Sequence, residues 1–122
     1  MPRIVHFEIT AENPDRAAKF YSEIFGWKIE KYNGPKEYWL ITTGTQGEIG
    51  INGGMYKRIP GFSNYVNIID VPSVNDFAKK IIKHGGKQIV PKITIRGIGY
   101  SAYFQDTEGN AFGVIEEDKS AK

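Results

Sequence analysis

Two titratable side chains lie close together near the N-terminus, in the segment IVHFEI at residues 4–9. Successive side chains of a strand point to opposite faces, so His6 and Glu8 share one face, about 6 to 7 Å apart at the usual rise per residue. The other face, with Val5, Phe7 and Ile9, is apolar and is expected to pack on a helix. An imidazole can bind a metal or move a proton, and a desolvated carboxylate can act as a general base. The pair therefore marks a candidate site.

Each of these residues also has a simpler interpretation. His6 could be a neutral imidazole that lines a cavity and hydrogen-bonds to a neighbour, because one histidine without partners does not define a metal centre. Glu8 could be a solvated strand residue. The second histidine, His84, is expected in the last turn of a helix, where it complements the helix dipole and needs no role in a site.

Composition narrows the classes of function. A chain of 122 residues is long enough for one core, and 40% hydrophobic with 25% charged residues is typical of a globular domain. A net charge of +2, with basic residues scattered among acidic ones, argues against nucleic-acid binding. No apolar run could span a membrane and no signal pattern is present, so a cytoplasmic protein is expected. The absence of cysteine excludes thiolate chemistry and sulfur-based metal sites.

The order of the predicted elements repeats after about 60 residues. After the first strand, Asn13 and Pro14 predict a helix start and Gly26 its end, with Ala17, Phe20, Tyr21, Ile24 and Phe25 as the buried face. Three extended segments follow, at residues 27–32, 37–43 and 48–55. A strand at 64–69, a helix beginning after Ser73 and ending at Gly85, and extended segments at 87–91, 98–105 and 111–116 repeat this order. The prediction is an α+β fold built from two β-α-β-β-β modules.

Four phrases of the sequence resemble the vicinal oxygen chelate superfamily, which contains glyoxalase I, bleomycin resistance proteins and extradiol dioxygenases. The phrases are VHFEITAENPDRAAKFYSEIFGWKI at 5–29, GINGGM at 50–55, GGKQIVPK at 85–92 and YFQDTEGNAFGVIE at 103–116. In the last phrase, Thr107 stands where proline is usual. The resemblance implies sheets curled around a cup-shaped cavity, and homodimers. It also implies one domain, with module 1 at about 1–56, a linker at 57–62, module 2 at about 63–117 and a flexible tail at 118–122.

Metal-using members of the superfamily hold a divalent ion with ligands from the first and last strand of each module. By this resemblance, His6 occupies the first ligand place and Ser63 or Asn64 the corresponding place in module 2, where neither is a good transition-metal ligand. The last-strand places fall in Asn52-Gly53-Gly54 and at Gly113. We attribute the glycines of GINGGM to close backbone packing, because no Gly-Lys-Ser/Thr signature of a phosphate loop is present. No cofactor is therefore expected, and the alternative is zinc, nickel, manganese or iron bound through His6.

Aromatic residues on the predicted strands could line the cup, where aromatic walls with few polar groups suit a small organic ligand. Alternation places about half of them toward the cavity. We take Trp39, Tyr100 and Tyr103, together with His6 and Asn64, as candidate ligand-binding residues, from a set that also contains Tyr38, Phe104 and Phe112.

Three functions remain open at this point. The favoured one is a binding protein that takes up a small organic molecule in the cup without the complete metal site. The second is a metal-dependent isomerase or lyase resembling lactoylglutathione lyase, with His6 as a metal ligand and Glu8 as a possible general base. The third is a non-catalytic interaction module.

Overall fold

A computed structural model describes all 122 residues and contains the two successive β-α-β-β-β units that the sequence predicts. The resulting α+β fold has eight strands and two helices. In chain order the elements are β1 (Ile4–Ala11), α1 (Pro14–Phe25), β2 (Lys28–Lys31), β3 (Trp39–Thr42), β4 (Gly53–Lys57), β5 (Tyr65–Asp70), α2 (Val74–Lys83), β6 (Lys87–Ile95), β7 (Gly99–Gln105) and β8 (Ala111–Glu117).

The chain divides into two compact units. The N-terminal unit comprises residues 6–66, and the C-terminal unit comprises residues 1–5 together with residues 67–122. The first two residues of β1 therefore belong to the C-terminal unit, where the Asp70 N–H donates to the Arg3 carbonyl over 2.8 Å. The expected module limits at the linker 57–62 stay a prediction.

Both helices begin at the residues that the sequence indicates. The Asn13 side chain accepts a hydrogen bond from the Arg16 N–H over 3.1 Å, and the Ser73 hydroxyl accepts one from the Asp76 N–H over 3.1 Å. Each bond satisfies a backbone donor that has no partner within the helix. Gly26 ends α1 with φ at 73°, a left-handed conformation that glycine adopts without steric cost.

The N-terminal unit has its four strands in the order β2-β3-β4-β1. β1 runs parallel to β4, with Phe7 opposite Gly53 and Glu8 opposite Gly54, and the other neighbours are antiparallel. One face of this sheet packs against α1. Its buried residues are Ile9, Ala11, Trp39, Ile41 and Met55, joined by the half-buried Phe7, Ala17, Ala18, Tyr21, Trp27 and Ile29.

The C-terminal unit repeats this arrangement in the order β5-β8-β7-β6, with β5 parallel to β8. Its core lies between the sheet and α2. The buried residues are Val71, Val74, Ala102, Phe104 and Val114, and Tyr100 and Phe112 pack against them.

The buried face predicted for α1 is wrong in part. Ala17 and Tyr21 contact the core, but Phe20, Ile24 and Phe25 are between 55% and 59% exposed. The apolar stripe of this helix is wider than the strip that touches the sheet. Helical periodicity identifies such a stripe, but it does not say how much of the stripe another element covers.

One other segment differs from expectation. The extended segment predicted at 48–55 is shorter, because residues 48–50 form a bend, residues 51–52 have no regular secondary structure and β4 begins only at Gly53. The flexible tail expected at 118–122 stays a prediction; within it, Ala121 is buried and its carbonyl accepts a hydrogen bond from the Gly97 N–H over 2.9 Å. Neither helix is long and apolar enough to cross a membrane.

Candidate functional site

His6 and Glu8 lie on the face of β1 that points away from α1, as strand alternation predicts. Their neighbours Phe7 and Ile9 belong to the core on the helix side. Glu8 is only 5% exposed, although it is a carboxylate, and His6 is partly buried. A buried carboxylate needs hydrogen-bond donors in place of the water that it has lost.

The Tyr38 hydroxyl supplies such a donor and joins the two residues. It lies 2.9 Å from Nε2 of His6 and donates to Oε2 of Glu8 over 2.8 Å. Tyr38 directly precedes β3, and the next residue, Trp39, points into the core on the other side of the sheet. Residues about thirty positions apart in the chain thus form one continuous hydrogen-bonded group.

The direction of these bonds fixes the state of the imidazole. Burial lowers the pKa of His6 below its usual value, so the neutral ring is favoured near neutral pH. The single proton of the Tyr38 hydroxyl is donated to Glu8, so the phenol oxygen accepts a hydrogen bond from Nε2–H of His6. In this tautomer Nδ1 of His6 carries the lone pair and can accept a hydrogen bond from another molecule.

Two glycines of β4 create the space for this arrangement. A β-carbon on Gly54 would overlap the Tyr38 hydroxyl, and a β-carbon on Gly53 would overlap the ring and carbonyl oxygen of Phe7 on the other face. The close packing that the sequence suggested for GINGGM is confirmed at Gly53 and Gly54 but not at Gly50, where a β-carbon would meet nothing within 4 Å. Position 54, one of the places where metal-using members of the superfamily could carry a carboxylate, is filled here by the phenol of Tyr38.

Tyr56 completes the polar cluster, which we define as His6, Glu8, Tyr38 and Tyr56. The rings of Tyr38 and Tyr56 stack with their centroids 6.2 Å apart. The Tyr56 hydroxyl is buried and makes no hydrogen bond of standard geometry. Burial raises the pKa of Tyr56, and the nearby charge of Glu8 raises it further. The hydroxyl interacts with Glu8, although not at standard hydrogen-bond geometry, so a well-placed acceptor atom of a ligand could take a hydrogen bond from it.

The cluster does not fit a catalytic metal ion. Such a site needs about three protein ligands and an open position. His6 and Glu8 are the only nitrogen and carboxylate donors in the cluster, and both are engaged by Tyr38. No three His, Asp or Glu side chains come together in a way that could hold a metal.

The other candidate residues are distributed over both units. Trp39 is buried in the core of the N-terminal unit, 8% exposed. Asn64 is exposed, and its carbonyl accepts hydrogen bonds from the backbone and hydroxyl of Thr10, at 2.9 and 3.3 Å. In the C-terminal unit, Tyr100 packs on the core with Lys92 above its ring, 4.7 Å from the centroid. Tyr103 lies beside Gly113 on the sheet face away from that core.

Sequence reasoning missed Tyr56 and did not select Tyr38. Both residues follow the alternation of their strands, since Trp39 and Met55 point into the core and Tyr38 and Tyr56 point away from it. Alternation alone divides each pair but does not say which member faces which side. The pairing of β3 with β4, which puts Trp39 opposite Met55, supplies that information.

The chain is similar to known proteins over nearly its whole length. Residues 3–114 match the family model of the glyoxalase/bleomycin resistance protein/dioxygenase superfamily. A glyoxylase-like domain-containing protein of Didymella fabae is 32% identical over 120 residues, which cover 92% of this chain and 91% of that protein.

Solved structures share the fold at low sequence identity. A superfamily member from Vibrio splendidus 12B01 has a TM-score of 0.64 at 16% identity, covering 97% of this chain and all of that one. Methylmalonyl-CoA epimerase from Mycobacterium tuberculosis has a TM-score of 0.67 at 10% identity, covering 93% of this chain and 87% of that one. At such identities the likeness concerns the fold alone.

Proposed function

Because the chain belongs to the glyoxalase/bleomycin resistance protein/dioxygenase superfamily, we propose that it binds a small organic molecule over its polar cluster, without a complete metal site. The observation that carries the proposal is the Tyr38 hydroxyl, which lies between His6 and Glu8 above a glycine. The phenol of Tyr38 hydrogen-bonds to both side chains that could bind a metal. A ligand would therefore meet hydrogen-bonding side chains at this place.

The cluster presents complementary groups to such a ligand. Nδ1 of His6 is a hydrogen-bond acceptor, and the buried hydroxyl of Tyr56, which makes no hydrogen bond of standard geometry, is a donor. The stacked rings of Tyr38 and Tyr56 add an apolar surface. A few directed polar groups beside aromatic carbon are typical of small-molecule sites. We therefore favour a ligand that carries both a hydroxyl or amide donor and a carbonyl acceptor next to a planar apolar part.

A direct test combines ligand screening with elemental analysis. The purified protein is screened by thermal shift against planar hydroxy-carbonyl compounds, such as hydroxyacetophenones, with and without a chelator. A ligand that binds only the folded state raises the apparent stability, by about 2.7 kcal/mol at one hundred times its Kd. We expect stabilisation that survives the chelator and is lost in Tyr56→Phe, which keeps the ring and removes the hydroxyl.

The alternative is a metal-dependent isomerase or lyase of glyoxalase type in which His6 is a ligand. Near-stoichiometric zinc, nickel, manganese or iron that disappears in His6→Ala would contradict the metal-free proposal. Turnover of the glutathione thiohemiacetal of methylglyoxal, dependent on that metal, would establish the alternative. A non-catalytic interaction module would show neither ligand stabilisation nor metal.

Glu8 supports a second candidate function, proton abstraction from the bound molecule. Its carboxylate is 5% exposed and accepts a hydrogen bond from Tyr38, so it is both oriented and shielded from water. If Glu8 is a general base, the protein accelerates deuterium exchange at the acidic C–H of a bound ketone, followed by NMR. Glu8→Gln would abolish the exchange, because the amide keeps the shape but takes up no proton. Exchange at the same rate in Glu8→Gln and in the unaltered protein would exclude this role.

A further inference from the structure

A separate surface cavity of ≈ 440 Å³ lies on the helix side of the N-terminal unit. None of the four residues of the polar cluster lines it. Its walls come from the end of β1 with Glu12 and Asn13, from residues 16–21 of α1, and from Arg58, Asn64 and Tyr65. The volume falls within the range of pockets that hold small organic ligands.

The charges around this cavity favour an anion. Arg16 and Arg58 face only one acidic lining residue, Glu12. Arg58 is held in place, because its Nη2 donates to the Thr10 carbonyl over 3.2 Å while Nη1 lies 3.8 Å from the Glu12 carboxylate. Arg16, in the first turn of α1, makes no ion pair. The guanidinium of either arginine can donate two parallel hydrogen bonds to a carboxylate, and that of Arg16 has no acidic partner.

The rest of the lining is aromatic. Phe20 is 55% exposed and Tyr65 is 70% exposed, although both are large apolar or amphipathic rings. The Tyr21 side chain of α1 packs against the core of the sheet. Burial raises the pKa of Tyr21, and its interaction with Tyr65 raises it further. The hydroxyl of Tyr21 therefore stays protonated at neutral pH and adds no negative charge. Phe20 and Tyr65 provide surfaces against which a planar ring could pack.

We infer that this cavity is a second binding site and takes a small aromatic carboxylate. The carboxylate is bound by Arg16 and Arg58, and the ring packs against Phe20 and Tyr65. The site is independent of the ligand proposed for the polar cluster, because the two sites share no lining residue.

The test uses naphthalene-2-carboxylate and its neutral analogue, naphthalene-2-carboxamide, as probes. Calorimetry gives Kd, and shifts of backbone amide NMR signals locate the binding site. The Arg16→Gln variant removes the unpaired charge, and Lys19→Gln removes a charge from the same helix at a residue that does not line the cavity. Tyr38→Phe alters the polar cluster alone, so it separates this proposal from the previous one.

We expect the carboxylate to bind more tightly than the amide, with shifts at residues 9–21, 58 and 64–65. Arg16→Gln should weaken carboxylate binding by about tenfold, the loss of one charge-assisted interaction, and leave the amide unaffected. Lys19→Gln and Tyr38→Phe should change Kd by less than about twofold. Equal affinity for the two probes, equal effects of Arg16→Gln and Lys19→Gln, or shifts confined to the polar cluster would each overturn the inference.

Discussion

The Tyr38 hydroxyl occupies the space into which a side chain at Gly54 would project. Gly54 lies on β4 and Tyr38 directly precedes the neighbouring strand β3, and the phenol reaches His6 and Glu8 through that space. The absence of a side chain at position 54 is thus a condition for the polar cluster.

Gly54→Ala should destabilise the protein, because the added methyl group would overlap the Tyr38 phenol. We expect a loss of about 1 to 3 kcal/mol in the free energy of unfolding, the range for overpacked sites, measured by urea denaturation. The same substitution in a Tyr38→Ala background tests the cause. If the methyl group costs as much there as in the unaltered protein, steric conflict with Tyr38 is not the reason.

Tyr38→Phe removes the hydroxyl and keeps the ring. The loss of a donor to a buried carboxylate should cost about 1 to 3 kcal/mol of unfolding free energy. Tyr32→Phe is the matched control, because Tyr32 is exposed and its hydroxyl makes no hydrogen bond, so we expect a change within about 0.5 kcal/mol. Similar effects of the two substitutions would contradict the role assigned to Tyr38.

Stability should fall as the pH drops below the ordinary histidine pKa of 6.5, because burial lowers the pKa of His6 in the folded state. Below pH 6.5 the unfolded chain takes up a proton before the folded chain does, so protonation favours unfolding. The contribution of His6 is fully present above pH 6.5 and is lost as the pH falls toward its folded-state pKa.

Urea midpoints measured between about pH 5 and 7.5 check this dependence. His6→Gln should flatten the curve, because it removes the group whose pKa is lowered by burial. An NMR titration that finds the His6 pKa above 6.5 would contradict the sign of the effect.

Ile41 and Leu40 are adjacent in β3 and test the assignment of its two faces. Ile41 is 1% exposed within the core, whereas Leu40 is 41% exposed. Ile41→Ala should cost about 2 to 5 kcal/mol, because it leaves a cavity in a packed core, and Leu40→Ala should cost less than about 1 kcal/mol. A larger loss from Leu40→Ala would mean that the strand presents its other face to α1.

Local chemistry was sufficient to predict the elements and their order. Asn13 and Ser73 cap the helices through their own side chains, so their effect can be read from neighbouring residues. The shared face of His6 and Glu8 also follows from alternation within one strand. Such features depend on residues close together in the chain.

The partners of the site residues could not be predicted in this way. Tyr38 is thirty positions from Glu8 in the chain, and only the pairing between strands shows that Tyr38, rather than Trp39, turns toward it. The exposure of Phe20 and Ile24 depends likewise on how far the sheet extends beneath α1. Relations of this kind depend on distant parts of the chain.

The few residues that precede His6 have a consequence for any attempt to separate the two halves. The carbonyl of Arg3 accepts a hydrogen bond from Asp70, and residues 1–5 cluster with the C-terminal unit. A polypeptide that starts after the linker would lose this pairing and expose an unsatisfied strand edge to other chains. Supplying the first five residues as a separate peptide should then suppress its aggregation.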